Sequence, residues 1–156
     1  MTTRLLGAVA ALALLAACGT SPDQTGAAAG AGQATGPRPG SQEDLVANVG
    51  DRIFFDFDRH NIRGDQAPTL DRQASWLQTH SGVRVMIEGH ADERGTREYN
   101  LALGQRRANA ARDYLVARGV SGARIGTISF GKDRPAVLGS NEEAWAQNRR
   151  AVTVVQ

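Results

Sequence analysis

The feature that constrains this chain most is a break in composition at residue 41. Residues 19–41 (GTSPDQTGAAAGAGQATGPRPGS) carry no large apolar side chain. Such a stretch cannot bury enough surface to offset its ordering entropy, so the sequence predicts a flexible linker. At ~5–6 Å × √n its r.m.s. span is roughly 25 Å, and full extension reaches about 75 Å. Any folded core has to come from residues 42–156, which suffice for one ordinary domain.

What precedes the linker reads as an export signal. Arg4 supplies a positive start, and residues 5–15 (LLGAVAALALL) form an apolar run. That run is too short to cross a ~30 Å bilayer core as a helix. Leu15, Ala16 and Ala17 then lead into Cys18, the only cysteine. Residues 1–17 are therefore expected to be a signal peptide. The junction resembles a bacterial lipobox, in which the thiol is diacylated and the new amino terminus is acylated after cleavage. Lipid contributes ~0.8 kcal/mol per buried methylene, and two or more chains anchor stably. A chain acylated at Cys18 would be tethered to its membrane, not spanning it. In lipoproteins that resemble this one an Asp after the Cys tends to retain the protein in the inner membrane, and Gly19 in its place implies the outer membrane.

Charge and composition exclude several classes. Seventeen Arg and one Lys face 16 acids, for a net charge of +2. The Arg are spread among acids without aromatic interleaving, so no nucleic-acid partner is expected. One cysteine excludes an internal disulfide framework and a Cys-based zinc site. His60, His80 and His90 show no i, i+4 pairing, and neither HExxH nor GxSxG occurs. Asp56, Asp58, Asp92, Glu93 and His90 are the residue types of a muramidase carboxylate pair or a metal site. Asp56 and Asp58 merely flank an apolar strand position, so no catalysis, metal or cofactor is expected.

Periodicity then orders the domain. Ile53, Phe55 and Phe57 alternate with Arg52, Phe54, Asp56 and Asp58 across a strand at 52–58. Residues 65–80 read as a helix with Pro68 in its first turn and a stripe of Leu70, Ala74 and Leu77. Val83, Val85 and Ile87 mark a second strand at 83–88. Thr96 caps a long helix that Gly119 stops. A third strand covers 124–130. Ser140 to Glu143 reads as a capping box, and a last strand covers 150–155. The order βαβαβ(α)β predicts an α/β sandwich, one sheet with helices packed on it.

One junction stands out as a place for binding. Gly89-His90-Ala91-Asp92-Glu93-Arg94-Gly95-Thr96 joins the second strand to the long helix, a favoured ligand location in α/β folds. On that helix Tyr99, Asn100, Leu103, Arg107, Ala110, Ala111 and Tyr114 share one face. Arg107 falls in the middle of the stripe that should be buried, and a buried Arg needs a partner. That partner is either an internal carboxylate or the carboxylate of a ligand. Asp92, at the leading edge of the helix, would complement it. An Asp acceptor beside an Arg fork is what a zwitterionic amino-acid head group requires. Asp58 offers a second ammonium acceptor and Asn100 an amide.

These residues resemble a known family. The Phe54-Phe55-Asp56-Phe57-Asp58 stretch, the Gly89 to Thr96 run, Tyr99-Asn100, Leu103-Gly104 and Arg106-Arg107-Ala108 carry the likeness. So do Ser129-Phe130-Gly131-Lys132, Pro135-Ala136-Val137-Leu138-Gly139 and Asn148-Arg149-Arg150-Ala151-Val152. Together they are similar to the peptidoglycan-associated lipoproteins of Gram-negative bacteria, within the wider OmpA-like domain family. The likeness covers essentially all of 44–156. It implies a mixed four-stranded sheet in the order 1-4-2-3. It also implies binding to the meso-diaminopimelate stem peptide of peptidoglycan. In that family Asp92 and Arg107 correspond to the residues that hold the zwitterionic end of diaminopimelate, and Asp58 to a further contact. Asn100, Phe57, Glu93, Gly95 and Leu103 complete the expected ligand set. Implied partners are the cell wall, the outer membrane through lipid on Cys18, and the Tol proteins, above all the periplasmic propeller. Ala91 stands where many OmpA-like domains carry Thr.

Overall fold

Strand pairing decides where the Gly89 to Thr96 junction lies. The computed structural model describes residues 36–156. The expected signal segment, Cys18 and most of the linker lie outside the described residues. Strands β1 (Arg52–Phe54), β2 (Val85–His90), β3 (Ile125–Gly131) and β4 (Arg150–Val155) form one mixed sheet in the order β1-β4-β2-β3. β4 is antiparallel to both β1 and β2, whereas β2 and β3 are parallel. This is the α/β sandwich and the strand order expected above. A parallel pair cannot be joined by a hairpin, and α3 (Arg97–Ala117) supplies the crossover. Helices α1 (Gln42–Asp44), α2 (Ala67–Thr79) and α4 (Glu142–Asn148) complete the described elements together with two single turns.

Val85 and Ile87 of β2 are buried, while Met86 and Glu88 between them are only half-buried. The buried side meets α2 and α3. Ile53, Val85, Ile87, Ile125 and Ala151 pack there against Leu70, Ala74, Leu77, Ala108, Ala111 and Leu115. Gly89 continues the same face. A Cβ on Gly89 would collide with the Gly104 carbonyl of α3, and one on Gly104 with Ser129 and the Gly89 backbone. Two missing side chains thus let α3 approach β2 at backbone contact, and Leu103 and Arg107 follow Gly104 down onto the sheet. Thr96 caps α3 as expected, its Oγ1 accepting from the Tyr99 N–H at 3.2 Å, and Gly119 at φ 92° stops it.

Four local expectations change. The first strand stops at Phe54 and not at residue 58. The Phe55 N–H still donates to the Arg149 carbonyl at 2.9 Å, but Asp58 then takes φ 54° and turns the chain out of the ladder. Phe57, expected within the strand, falls beyond its end and is 56% exposed. β2 starts and ends two residues later than expected, which carries Gly89 and His90 into the sheet. The short helix is capped by Asn141 and not Ser140; Asn141 Oδ1 accepts from the Ala144 N–H at 2.8 Å.

The fourth change lies at the start of the domain, where no element was expected. Here α1 runs into a π-helical turn at Leu45–Val49. Buried Asp44 organises it, accepting from the Gly40 N–H (2.9 Å), Asn48 Nδ2 (2.7 Å) and Trp76 Nε1 (2.9 Å). Ser41 Oγ accepts from the Asp44 N–H at 3.3 Å. Gly40 and Ser41, read as linker, are thus part of the first cap.

Candidate functional site

β2 ends at His90, and the chain then makes a tight polar loop before Thr96 caps α3. Ala91 N–H donates to the Gly131 carbonyl at 2.8 Å, so the loop is anchored to the end of β3. Lys132 Nζ adds bonds to the carbonyls of Glu93 (3.1 Å) and Gly95 (2.7 Å). Gly95 sits at φ 93°, a conformation that suits glycine. Asn100, buried on the first turns of α3, donates through Nδ2 to the Arg94 carbonyl at 2.8 Å. The polar loop is therefore fixed from three sides.

Between this loop, α3 and the turn after β1 lies a cavity of about 170 Å³. It is lined by Phe57, Asp58, Asp92, Gly95, Asn100, Leu103 and Arg107, all expected from the sequence, and also by Arg94 and Tyr99. Glu93 does not join them. Its Oε1 accepts from Trp145 Nε1 at 3.0 Å, and it borders a separate cavity with Lys132, Val137 and Leu138.

Arg107 is completely buried. The expectation that it would find an internal carboxylate or await a ligand's needs correcting in its first half. Among the described residues its partners are three backbone carbonyls: Arg59 to Nε at 2.8 Å, His90 to Nη1 at 2.8 Å and Asp56 to Nη2 at 3.0 Å. Carbonyl dipoles can compensate a guanidinium, and these three also fasten the turn after β1 to the end of β2. A guanidinium has five N–H donors. Three are used here, which leaves one on each terminal nitrogen. Burial pulls the Arg107 pKa down to about 10, with Asp92 opposing the shift, so the group stays cationic at neutral pH.

Asp92 is 4% exposed. Its Oδ1 accepts from the Arg94 N–H (3.1 Å) and Nε (3.2 Å), and its Oδ2 from Arg94 Nη2 (2.6 Å) and, more distantly, Arg149 Nη1 (3.5 Å). Burial alone would raise its pKa, but the Arg94 bonds outweigh that and hold it below the ordinary carboxylate value. Asp58 accepts a short hydrogen bond from the Tyr99 hydroxyl, which raises the Tyr99 pKa.

Sequence reasoning missed Arg94. Its guanidinium lies 3.9 Å from the Phe57 ring centroid and 4.0 Å from that of Trp145. The Asp-x-Arg spacing inside a glycine-bounded loop was the available local signal; the second aromatic ring comes from α4, far along the chain. The cavity is thus lined by a carboxylate and a guanidinium, both buried, the guanidinium with two unused donors, and by an amide and an aromatic wall. Those are the groups that bind a small zwitterion. Among the described residues no cluster of three His, Cys, Asp or Glu is placed to hold a metal ion.

Comparison with known proteins is consistent in kind. The OmpA family matches residues 54–149. Over 133 residues the chain is 60% identical to a peptidoglycan-associated lipoprotein of Rhizobium meliloti, spanning 85% of this chain and 74% of that protein. A protein of the same name from Mesorhizobium japonicum is 51% identical over 152 residues, spanning 95% and 89%. Among solved structures, the crystal structure of the peptidoglycan-associated lipoprotein from Burkholderia pseudomallei is similar with a TM-score of 0.66 and 44% identity. It spans 68% of this chain and 90% of that one.

Proposed function

Since this chain belongs to the OmpA family, and within it to the peptidoglycan-associated lipoproteins, we propose that it binds the meso-diaminopimelate end of the peptidoglycan stem peptide. It would do so non-covalently and without catalysis, linking the outer membrane to the wall. The observation that carries the reading is the pairing of two buried opposite charges in one cavity, Asp92 and Arg107, with donors left over on Arg107. The ligand carboxylate would take the two remaining Arg107 N–H groups as a fork, and its ammonium would sit on Asp92, with Asp58 nearby. Phe57 and Leu103 would cover the methylene chain, and Gly95 and Asn100 would line the polar side.

Acylation of Cys18 would place the domain on the periplasmic face of the outer membrane, at the end of the linker. The Gly89 to Thr96 run, whose form resembles the peptidoglycan-associated branch, supports a place among the Tol proteins in envelope integrity and in constriction of the outer membrane at division. A pull-down with the periplasmic Tol propeller checks that part; an anchor outside the Tol system would not capture it. Wall binding itself is checked by sedimentation with two walls. Peptidoglycan whose third residue is diaminopimelate should carry the protein down. Peptidoglycan with Lys there lacks the terminal carboxylate and should not. Equal sedimentation with both walls would reject the zwitterion site.

A further inference from the structure

As the chain folds, neither charge of the cavity is open to a ligand. Asp92 receives four N–H contacts, and a carboxylate offers about four lone-pair sites, so it has no acceptor capacity left. Arg107 has donors in hand but no exposed surface. Of the two side chains bonded to Asp92, Arg149 is 7% exposed and Arg94 is 30% exposed. Arg94 is therefore the partner on the solvent side. Its guanidinium is held there by two rings, Phe57 at 3.9 Å and Trp145 at 4.0 Å, and Trp145 is itself fixed by Glu93.

We infer that Arg94 is a latch: its guanidinium occupies the ammonium position on Asp92, and a zwitterion enters by displacing it. This rests on the reading of the cavity as a site for the diaminopimelate head group. The exchange is balanced in charge, one cation leaving the carboxylate as another arrives. The Arg94 backbone N–H bond to Asp92 is independent of the side chain, so the loop keeps its form when the guanidinium swings out. Arg149 remains as the fixed partner, tied to the Phe55 carbonyl at 3.0 Å and to Glu142 at 2.6 Å. The latch also sets selectivity. A ligand with a carboxylate but no ammonium gives Asp92 nothing in exchange for Arg94 and is refused, although Arg107 would accept it.

A site that is open only part of the time binds more weakly by that fraction, so loosening the latch should tighten binding. The test uses a soluble muropeptide carrying meso-diaminopimelate, with rates and affinity measured on the parent, Arg94→Met, Trp145→Leu and Asp92→Ala. Methionine keeps an unbranched chain between the rings without the charge. Trp145→Leu keeps the guanidinium and removes one ring that does not line the cavity. Arg94→Met should bind several-fold tighter, mostly through faster association. Trp145→Leu should move the same way by less, and Asp92→Ala should not bind. If the parent binds and neither folded variant binds faster or tighter, the latch is wrong and the zwitterion site stands. If no protein in the set binds the muropeptide, the zwitterion reading itself falls, and the latch with it.

Discussion

Asp44 and Arg107 are both buried charges paired with uncharged hydrogen-bond partners, yet one is a fastening and the other lines a cavity. Asp44 accepts from Gly40, Asn48 and Trp76, and His80 Nε2 stands 3.7 Å away. Those donors hold its pKa below the ordinary range, the backbone bond from Gly40 contributing most. Every partner belongs to the fold, and neither of the two cavities described touches it. Arg107 is equally hidden, but its three carbonyl partners leave two donors unused beside a cavity. The lesson is that burial does not distinguish a structural charge from a binding one. Position at a cavity does, together with capacity that is spare, as on Arg107, or that a partly exposed partner such as Arg94 can give up, as on Asp92.

The largest expected effect breaks the comparison at its carboxylates. Asp92→Ala removes the ammonium's partner and leaves that charge desolvated and unpaired, at a cost of about 2–5 kcal/mol. At ~1.4 kcal/mol per decade this is roughly 30-fold to several thousand-fold in wall affinity. Arg107→Lys should fail similarly, because an ammonium cannot present the planar fork. Arg107→Ala should lose both binding and stability, since three carbonyls lose their donor. Combining it with Asp92→Ala should cost less binding than the sum, both residues gripping one head group. Asp44→Ala should do the reverse of Asp92→Ala, lowering the melting temperature with wall sedimentation intact. Sedimentation and melting measured on the same samples separate the two roles.

His90 comes next and tests what the seat of Arg107 depends on. Its carbonyl holds Arg107, while its ring is 2% exposed; among the described residues neither ring nitrogen has a hydrogen-bond partner, and Glu88 Oε2 stands 3.6 Å from Nε2. Burial first, then Arg150 and Arg134, push its pKa from 6.5 down to about 4. Between those values the unfolded chain binds a proton that the folded one refuses, so stability rises with pH across that window. It should be complete above pH 6.5 and fall by roughly 3 kcal/mol on acidification to pH 4, at ~1.4 kcal/mol per unit. Denaturant titrations at several pH values check this. His90→Leu should flatten the profile there, and an unchanged slope in that variant would rule out His90 as the cause.

A smaller effect is expected on the Asp44 side. Trp76→Phe keeps the buried ring but deletes the 2.9 Å donor to Asp44. The loss should be about 1 kcal/mol, a few degrees in melting temperature, with wall binding unchanged.

These contrasts also mark what was readable in the chain. Elements set by local chemistry were legible: the Thr96 cap, the Gly119 stop and the alternation in β2 each depend on near neighbours. The burial of Arg107 was legible too, because helical spacing puts it between Leu103 and Ala111. Its partners were not, since Arg59, His90 and Asp56 converge only once the sheet closes. The end of β1 was not legible, because alternation through Phe57 assumes the strand continues, whereas it stops at Phe54 and Asp58 turns the chain away at a positive φ. The first helix and its π-helical turn were invisible for a similar reason: residues 42–49 have little periodicity of their own, and distant Trp76 fixes them through Asp44.

The last test, whose shorter deletion carries the smallest expected effect of all, concerns where the folded domain begins. Composition draws the boundary at residue 41, whereas Gly40 and Ser41 bond to Asp44 through an N–H and a hydroxyl. Two deletions separate composition from contact. Removing residues 20–36 takes away segments whose composition offers no core, so the melting temperature should stay within about a degree of the parent. Extending the deletion to residue 41 also removes the N-cap and one donor to Asp44. An N-cap alone is worth ~1 kcal/mol, so a drop of several degrees is expected. Wall binding by the purified domain should survive both, because the cavity lies with Asp92 and Arg107 and not with Asp44. If the shorter deletion already lowers the melting temperature by several degrees, the Gly- and Ala-rich segment packs on the domain, and the boundary read from composition is wrong.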